Sequence, residues 1–196
     1  MKLIIASNNK HKIAEIKSIL GAKFDNIISL SEAGIEHETV EDGTTFLENA
    51  VKKASEIAEL SSSCTLADDS GICVHALDNA PGIYSARFAG EHGNDKANNA
   101  LLLKKLSDKS DRTAHYTCAM ALVRPGGEIV TAEGHLYGTV IDTARGEGGF
   151  GYDPLFVPDG EYRTLAEMTD EEKNAISHRK RALVALLNKL EDNREV

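Results

Sequence analysis

Asp68 and Asp69 are adjacent carboxylates that follow the apolar run Cys64-Thr65-Leu66-Ala67 and precede Ser70-Gly71. Like charges at neighbouring positions near a core edge raise each other's pKa or recruit a hard cation, and an all-oxygen donor set suits Mg²⁺. The flanking residues place the pair on a tight turn at a strand end, with Gly71 supplying backbone freedom before Ile72-Cys73-Val74 resumes the apolar pattern. A polar turn in which Asp caps its own backbone is the commoner use of Asp-Ser-Gly. Taken alone, the segment favours that turn.

Three further segments carry candidate chemistry. Ser7-Asn8-Asn9-Lys10-His11-Lys12 joins an apolar run to a helical pattern, so its amides and two lysines can cradle a phosphate at a helix N-terminus. It is no P-loop, because Gly-x-x-x-x-Gly-Lys-Ser/Thr is absent, and a solvated polar loop accounts for it equally well. Gly146-Glu147-Gly148-Gly149-Phe150-Gly151 formally fits Gly-x-Gly-x-x-Gly, but Pro154 soon after opposes a helix opening there, which excludes a dinucleotide site. What remains is a loop delivering Phe150 and Tyr152 beside Asp153, either as edge aromatics or as a base-stacking platform worth about 1–3 kcal/mol per base. Ser177-His178-Arg179-Lys180-Arg181, just beyond Lys173, gathers cations at a helix start, where acids are normally preferred. That mismatch suggests a ligand or partner.

Other groups carry no chemistry that their own spacing reveals. Lys52 and Lys53 read as solvated helix lysines, and His37, His75, His92, His115 and His135 show no zinc spacing. No Gly-x-Ser-x-Gly elbow is present. Cys64, Cys73 and Cys118 are odd in number and sit in apolar runs, as buried reduced thiols do.

The elements that must position these residues follow from periodicity. Leu3–Ala6 reads as a buried strand, His11–Leu20 as a helix ending at Gly21, and residues 26–30 as a second strand. Thr45-x-x-Glu48 is a capping box that opens a long helix through Phe46, Ala50, Val51, Ala54, Ile57 and Ala58. Residues 94–106 read as a helix burying Ala97, Ala100, Leu101 and Leu103. Residues 114–123 and 128–132 flank Arg124-Pro125-Gly126-Gly127 as a hairpin, and 135–141 adds a third antiparallel strand. A last helix, 179–190, buries Leu183, Leu186, Leu187 and Leu190. Strands and helices in this order predict an α/β layered fold around one mixed sheet.

Composition bounds the partners. The chain has 196 residues, 41% hydrophobic and 27% charged, without repeat, linker or low-complexity block, so 1–196 reads as one folded domain. A formal net charge of −9 argues against a nucleic-acid polymer partner. The first apolar run is too short for a signal-peptide core or a membrane span, and cytoplasmic residence without membrane association is expected.

Six segments, in chain order, closely resemble the Ham1/RdgB family of inosine triphosphate pyrophosphatases, which remove non-standard purine nucleotides. They are residues 7–12, 41–50 (Glu41-Asp42-Gly43 through Ala50), 67–71, 81–87 (Pro81-Gly82-Ile83-Tyr84-Ser85-Ala86-Arg87), 148–154 and 172–179. The resemblance implies an elongated, two-lobed α/β fold about a central mixed sheet flanked by helices, an active-site cleft between the lobes, and a homodimer. It implies Mg²⁺-dependent hydrolysis of ITP, dITP, XTP and dXTP to the monophosphate and pyrophosphate. It makes Asp69 the proton acceptor and, with Glu41 and Asp68, a metal ligand. Ser7, Asn8, Asn9, Lys10, His11, Lys12, Lys53 and Ser70 would surround the phosphates and sugar. Phe150, Gly151, Tyr152, Asp153, Lys173, His178 and Arg179 would form the base end. Because an aspartate ordinarily titrates near pH ~3.9, Asp69 ranks as water positioner and metal ligand before strong base. A Maf-like pyrophosphatase acting on other modified nucleotides, or a nucleotide-binding regulator without turnover, are the alternatives.

Overall fold

The computed structural model describes residues 2–21, 24 and 26–192. The strands are β1 (Lys2–Ile5), β2 (Asn26–Ser29), β3 (Cys64–Val74), β4 (Thr113–Val123), β5 (Ile129–Val140) and β6 (Phe156–Pro158). The helices are α1 (Lys10–Leu20), α2 (Phe46–Ser61), α3 (Asp95–Lys105), α4 (Asp170–Ile176) and α5 (His178–Asp192). The strands form one sheet in the order β2-β1-β3-β4-β5-β6. β1 pairs in parallel with β2 (Ile4↔Ile28) and with β3 (Ile4↔Thr65), whereas β5 and β6 are antiparallel (Thr139↔Val157), so the sheet is mixed as expected.

The chain forms two compact units. The first comprises Met1–Asp69, Cys118–Gly134 and Arg179–Val196; the second comprises Ser70–Thr117 and His135–His178.

In the first unit β1, β3 and β4 are buried on both faces, and their side chains alternate between two apolar clusters. Leu3, Ile5, Leu66, Cys118, Met120 and Leu122 pack against Ile16 and Leu20 of α1 and Leu183, Leu186 and Leu190 of α5. Ile4, Ala67, Ala119, Ala121 and Val123 pack against Ala50, Ala54 and Ile57 of α2. Residues 66 and 67 of β3 therefore fix which helices the next two side chains meet. Asn9 caps α1 by accepting from the N–H groups of His11 and Lys12. Thr45 caps α2 at the Glu48 N–H, while the Glu48 carboxylate reaches back to the Thr44 N–H and hydroxyl.

The second unit has its own core, built on Ile72 and Val74 of β3, Ala114 and Tyr116 of β4, Leu136 and Val140 of β5 and Phe156 of β6. Leu102, Leu106, Tyr152, Leu155 and Leu165 fill it.

Three local expectations are corrected. β3 does not turn at Asp68-Asp69: it runs unbroken from Cys64 to Val74, with both acids inside it. Gly71 serves close approach and not a turn, since a Cβ there would lie 2.3 Å from Ser85 Oγ and 2.5 Å from the Gly82 carbonyl oxygen. Ser85 Oγ uses that proximity to accept from the Ile72 N–H at 2.9 Å and donate to Gly82 at 2.6 Å. β5 likewise passes straight through Gly134, because its in-out alternation continues across the glycine and merges the two expected strands. On α3 the buried face is Asn98 and Leu102, while Ala97, Leu101 and Leu103 are half-buried and Ala100 is exposed. A buried asparagine displaces the apolar pattern: Asn98 accepts from the Ala89 N–H at 2.8 Å and donates to Ala86 at 3.3 Å. All three cysteines are buried free thiols.

Candidate active site

Because Asp68 and Asp69 are successive residues of one strand, their carboxylates emerge on opposite faces of the sheet. Asp68 continues the face that α1 and α5 cover. Its Oδ2 lies 3.1 Å from Lys12 Nζ and accepts from Arg179 Nε at 3.3 Å and Nη2 at 3.2 Å. Arg179 is 1% exposed and also donates through Nη1 to Glu15. Asp69 continues the face that α2 covers. It accepts from Asn49 Nδ2 at 3.0 Å and stands 3.7 Å from Lys53 Nζ. Lys53 in turn donates to Glu41 Oε1 at 2.9 Å and to the Asp68 carbonyl at 2.7 Å.

Asn49 and Lys53 are four residues apart on α2 and so share a face. Asn49 also accepts from the Gly43 N–H at 2.9 Å, which ties the loop that carries Glu41 to the helix. Gly43 is needed there, because a Cβ would lie 2.6 Å from Asn49 Oδ1.

The two acids are driven in opposite directions. Burial acts to push Asp68 up, but the Lys12 ammonium, the Arg179 guanidinium and Lys53 overcome it and hold its carboxyl well below the usual carboxylate range. Burial also pushes Asp69 up; Lys53 and Lys12 offset this only in part, Glu41 adds to it, and the net shift is upward. For Lys53 burial is outweighed by Asp69, Asp68 and Glu41, so its ammonium is held charged. Asp68 is thus a buried, fully ionised anchor, whereas Asp69 is a carboxylate whose negative charge its surroundings disfavour.

Among the described residues no group of three or more His, Cys, Asp or Glu side chains is arranged to hold a metal ion. A hard divalent cation of Mg²⁺ type does not require one, since it takes one or two carboxylates and completes its shell with water and phosphate oxygens. Glu41 and Asp69 are two carboxylates gathered on one ammonium, and the raised pKa of Asp69 marks a demand for more positive charge. These residues fit such an ion. Asp68 Oδ2 is already shared by three nitrogens of Lys12 and Arg179.

The loop before α1 is organised by its own side chains. Ser7 Oγ accepts from the Asn9 N–H at 3.1 Å, and Asn9 Oδ1 from the His11 and Lys12 N–H groups at 3.0 and 3.3 Å. Asn8, Asn9, Lys10 and His11 are exposed, whereas Lys12 is drawn to Asp68. Ser70 is a half-buried residue of β3.

In the second unit Asp153 is the hub. It accepts from the Phe150 N–H at 2.9 Å, from Lys173 Nζ and from Tyr116 Oη at 3.4 Å. Lys173 Nζ also lies 4.4 Å from the Phe150 ring centroid, a cation–π distance. Gly149 adopts φ +72°, and a Cβ there would come within 2.2 Å of the Asp153 carboxylate. Gly151 donates to Asp95 at 2.7 Å and accepts from Asn99 at 3.0 Å. Tyr152 is buried and donates to the Ser85 carbonyl at 2.9 Å. His178 is buried and stacks on Tyr116, with ring centroids 4.8 Å apart.

The structure therefore brings Lys12, Glu41, Lys53, Asp68 and Asp69 together in the first unit, and Phe150, Gly151, Tyr152, Asp153, Lys173 and His178 in the second. Arg179, expected at the base end, has its guanidinium in the acidic centre beside Asp68 and Glu15. Sequence reasoning misses Asn49, Glu15 and Tyr116. The first lies one turn before Lys53 inside the 41–50 segment and the second one turn after Lys12, so helical spacing carries both signals. Tyr116 sits in an apolar strand with no local sign of its role.

Fold and site together define a mixed-sheet α/β protein with a strand-borne aspartate pair flanked by lysines. The Ham1 family model matches residues 3–189. A dITP/XTP pyrophosphatase of Clostridium perfringens is 51% identical over 200 residues, covering 98% of this chain and 96% of that protein. The solved structure of the Staphylococcus aureus Ham1 protein superposes with a TM-score of 0.89 at 39% identity, covering 98% of this chain and 100% of that one. A Coxiella burnetii HAM1 protein gives a TM-score of 0.88 at 36% identity over 98% of this chain and 99% of its own. The chain belongs to the Ham1 family.

Proposed function

We propose that this chain hydrolyses non-standard purine nucleoside triphosphates, ITP, dITP, XTP and dXTP, to the nucleoside monophosphate and pyrophosphate, and so cleanses the nucleotide pool. The observation that carries this reading is the split aspartate pair, in which one acid locks a lysine in place and its neighbour is held at a raised pKa beside another. The activity of the relatives, dITP/XTP pyrophosphatase, supports it.

A triphosphate brings about four negative charges to an acidic chain, and neutralising them locally requires cations held in advance. Lys12, fixed by Asp68, and Lys53, fixed by Glu41 and the Asp68 carbonyl, meet that need. Ser7, Asn8, Asn9, Lys10, His11 and Ser70 complete the phosphate and sugar contacts. Glu41 and Asp69 hold Mg²⁺, which supplies positive charge to the phosphates. Asp69 orients the attacking water and takes its proton. Asn49 keeps the Asp69 carboxylate from rotating. Pyrophosphate leaves as charge develops on its oxygen, and the two lysines stabilise that charge without reorganising.

In the second unit Phe150 offers a stacking face held by Lys173 and Asp153. A donor aimed at purine position 6 donates to the oxygen of hypoxanthine or xanthine and is left unpaired against the amino group of adenine. With Arg179 committed to Asp68 and Glu15, that donor comes from His178 or a backbone amide of the 148–154 loop. The same reading takes the chain to be a cytoplasmic homodimer; no helix among the described residues is long and apolar enough to cross a membrane. No observation favours a Maf-like activity or a regulator without turnover.

The test is incubation with dITP, XTP, dGTP and dATP in Mg²⁺, with phosphate and pyrophosphate measured separately. Pyrophosphate from dITP and XTP, in large excess over the other two, is expected. Release of phosphate alone, or equal rates on all four, contradicts the reading.

A further inference from the structure

A cluster of imidazoles in the second unit takes no part in the site described above. His75, in the short 3₁₀ turn His75–Leu77 after β3, directs Nε2 at His115 Nδ1 of β4 across 3.0 Å. The remaining His75 nitrogen, Nδ1, is 2.8 Å from Thr113 Oγ1, and that hydroxyl donates to Asp111 Oδ1 at 2.6 Å. His135 of β5 flanks His115 edge-on at 5.8 Å between centroids, its Nδ1 held 3.0 Å from Thr117 Oγ1, and Tyr137 lies 5.4 Å from the His115 ring.

Two nitrogens bound to one ion at about 2.0–2.1 Å stand about 2.9–3.4 Å apart for bond angles between square and tetrahedral. The observed 3.0 Å falls in that range, and the same distance is spanned by a single shared proton when no ion is bound. The outer nitrogen of a metal-binding histidine is usually fixed by a carboxylate, backbone carbonyl or water, and Asp111 supports His75 in this way through the Thr113 hydroxyl.

We propose that His75 Nε2 and His115 Nδ1 form an accessory site for an imidazole-preferring divalent transition metal, Zn²⁺ or Ni²⁺ in class, with water completing its shell. Imidazole nitrogens favour these ions over Mg²⁺, which takes oxygen ligands, so the site is chemically distinct from the one at Glu41 and Asp69. Metal binding needs neutral imidazole. Because the Thr113 hydroxyl donates to Asp111, His75 Nδ1 carries the proton of that ring and Nε2 presents its lone pair. Asp111, His135 and Tyr137 face the pair, and Asp111 carries charge opposite to the ion. The proposal is independent of the hydrolytic function.

The probe is Zn²⁺ alone, titrated calorimetrically into the full chain in the presence of excess Mg²⁺. One Zn²⁺ is expected to bind per chain at this pair. His75→Ala and His115→Ala should each weaken it at least about tenfold, and Thr113→Val, which removes only the outer support, by roughly tenfold. His37→Ala, which disrupts the separate contact of His37 Nε2 with Glu56 at 2.7 Å, should leave it unchanged. A wild-type chain that takes up no Zn²⁺ under these conditions overturns the proposal without any variant, as does unchanged affinity in both His75→Ala and His115→Ala.

Discussion

Asp153 in the second unit and Asp69 in the first are both buried carboxylates beside a lysine, yet their surroundings differ in kind. Asp153 accepts from the Phe150 amide, Lys173 and Tyr116, all of its own unit, and so is satisfied from within. Asp69 accepts from Asn49, a neutral donor, and the Lys53 ammonium at 3.7 Å is closer to Glu41 than to it. A carboxylate met by close donors fixes shape. One held at a raised pKa stores demand for charge, which a cation and a reacting water can meet. Asp68 belongs with Asp153 in this comparison, although it is the covalent neighbour of Asp69.

Removing an organising acid should cost the most stability. Asp68→Ala deprives the buried Arg179 guanidinium of one of its two carboxylates and is expected to lower unfolding free energy by about 3–5 kcal/mol in urea denaturation. A loss under about 1 kcal/mol would return Asp68 to the same category as Asp69. The pH profile sharpens the point. Asp68 is depressed in the folded state, so its contribution is present above the unfolded value of 3.8 and is lost as pH falls through the lower folded one. The stability gap between wild type and Asp68→Ala should therefore be constant near neutrality and narrow only in acid.

Asn49→Ala removes a hydrogen bond from the Asp69 carboxylate and takes from the Gly43 N–H its acceptor, a cost of about 1–3 kcal/mol. Turnover should fall with it, and a steady-state assay beside a melting curve separates the two losses. In the second unit Tyr152→Phe deletes one hydrogen bond to the Ser85 carbonyl, about 1 kcal/mol. If Tyr152 serves only as an anchor there, melting should shift slightly while the ratio of dITP to dGTP turnover stays constant.

Much of the fold is legible in the sequence because burial imposes a period. Leu3 to Ile5, the α1 and α5 stripes and the Thr45 cap are readable from spacing alone, and the mixed sheet follows. The Asp68-Asp69 segment reads as a bend because Gly71 signals a turn in sequence, whereas here it admits Ser85 against an extended strand. The α3 face escapes the pattern because Asn98 is buried for its hydrogen bonds, which no hydrophobicity period records. At the site, the motifs name the acids and lysines but not their grouping. Only strand alternation, given a continuous β3, sends Asp68 toward Lys12 and Arg179 and Asp69 toward Asn49 and Lys53. Arg179 is likewise 111 residues from its partner Asp68, beyond the reach of any local pattern.

The division between the two aspartates is tested most directly by Asp69→Asn, assayed for pyrophosphate release from dITP and for urea stability at pH ~7. The folded pKa of Asp69 lies above the unfolded one, so stability falls as pH rises through that interval and the ionised carboxylate is a net cost at neutrality. The variant should lose at least about 100-fold in turnover, with stability equal to or above that of the wild type. Retained turnover, or a loss of stability as large as that of Asp68→Ala, would contradict the assignment of chemistry to Asp69 and organisation to Asp68.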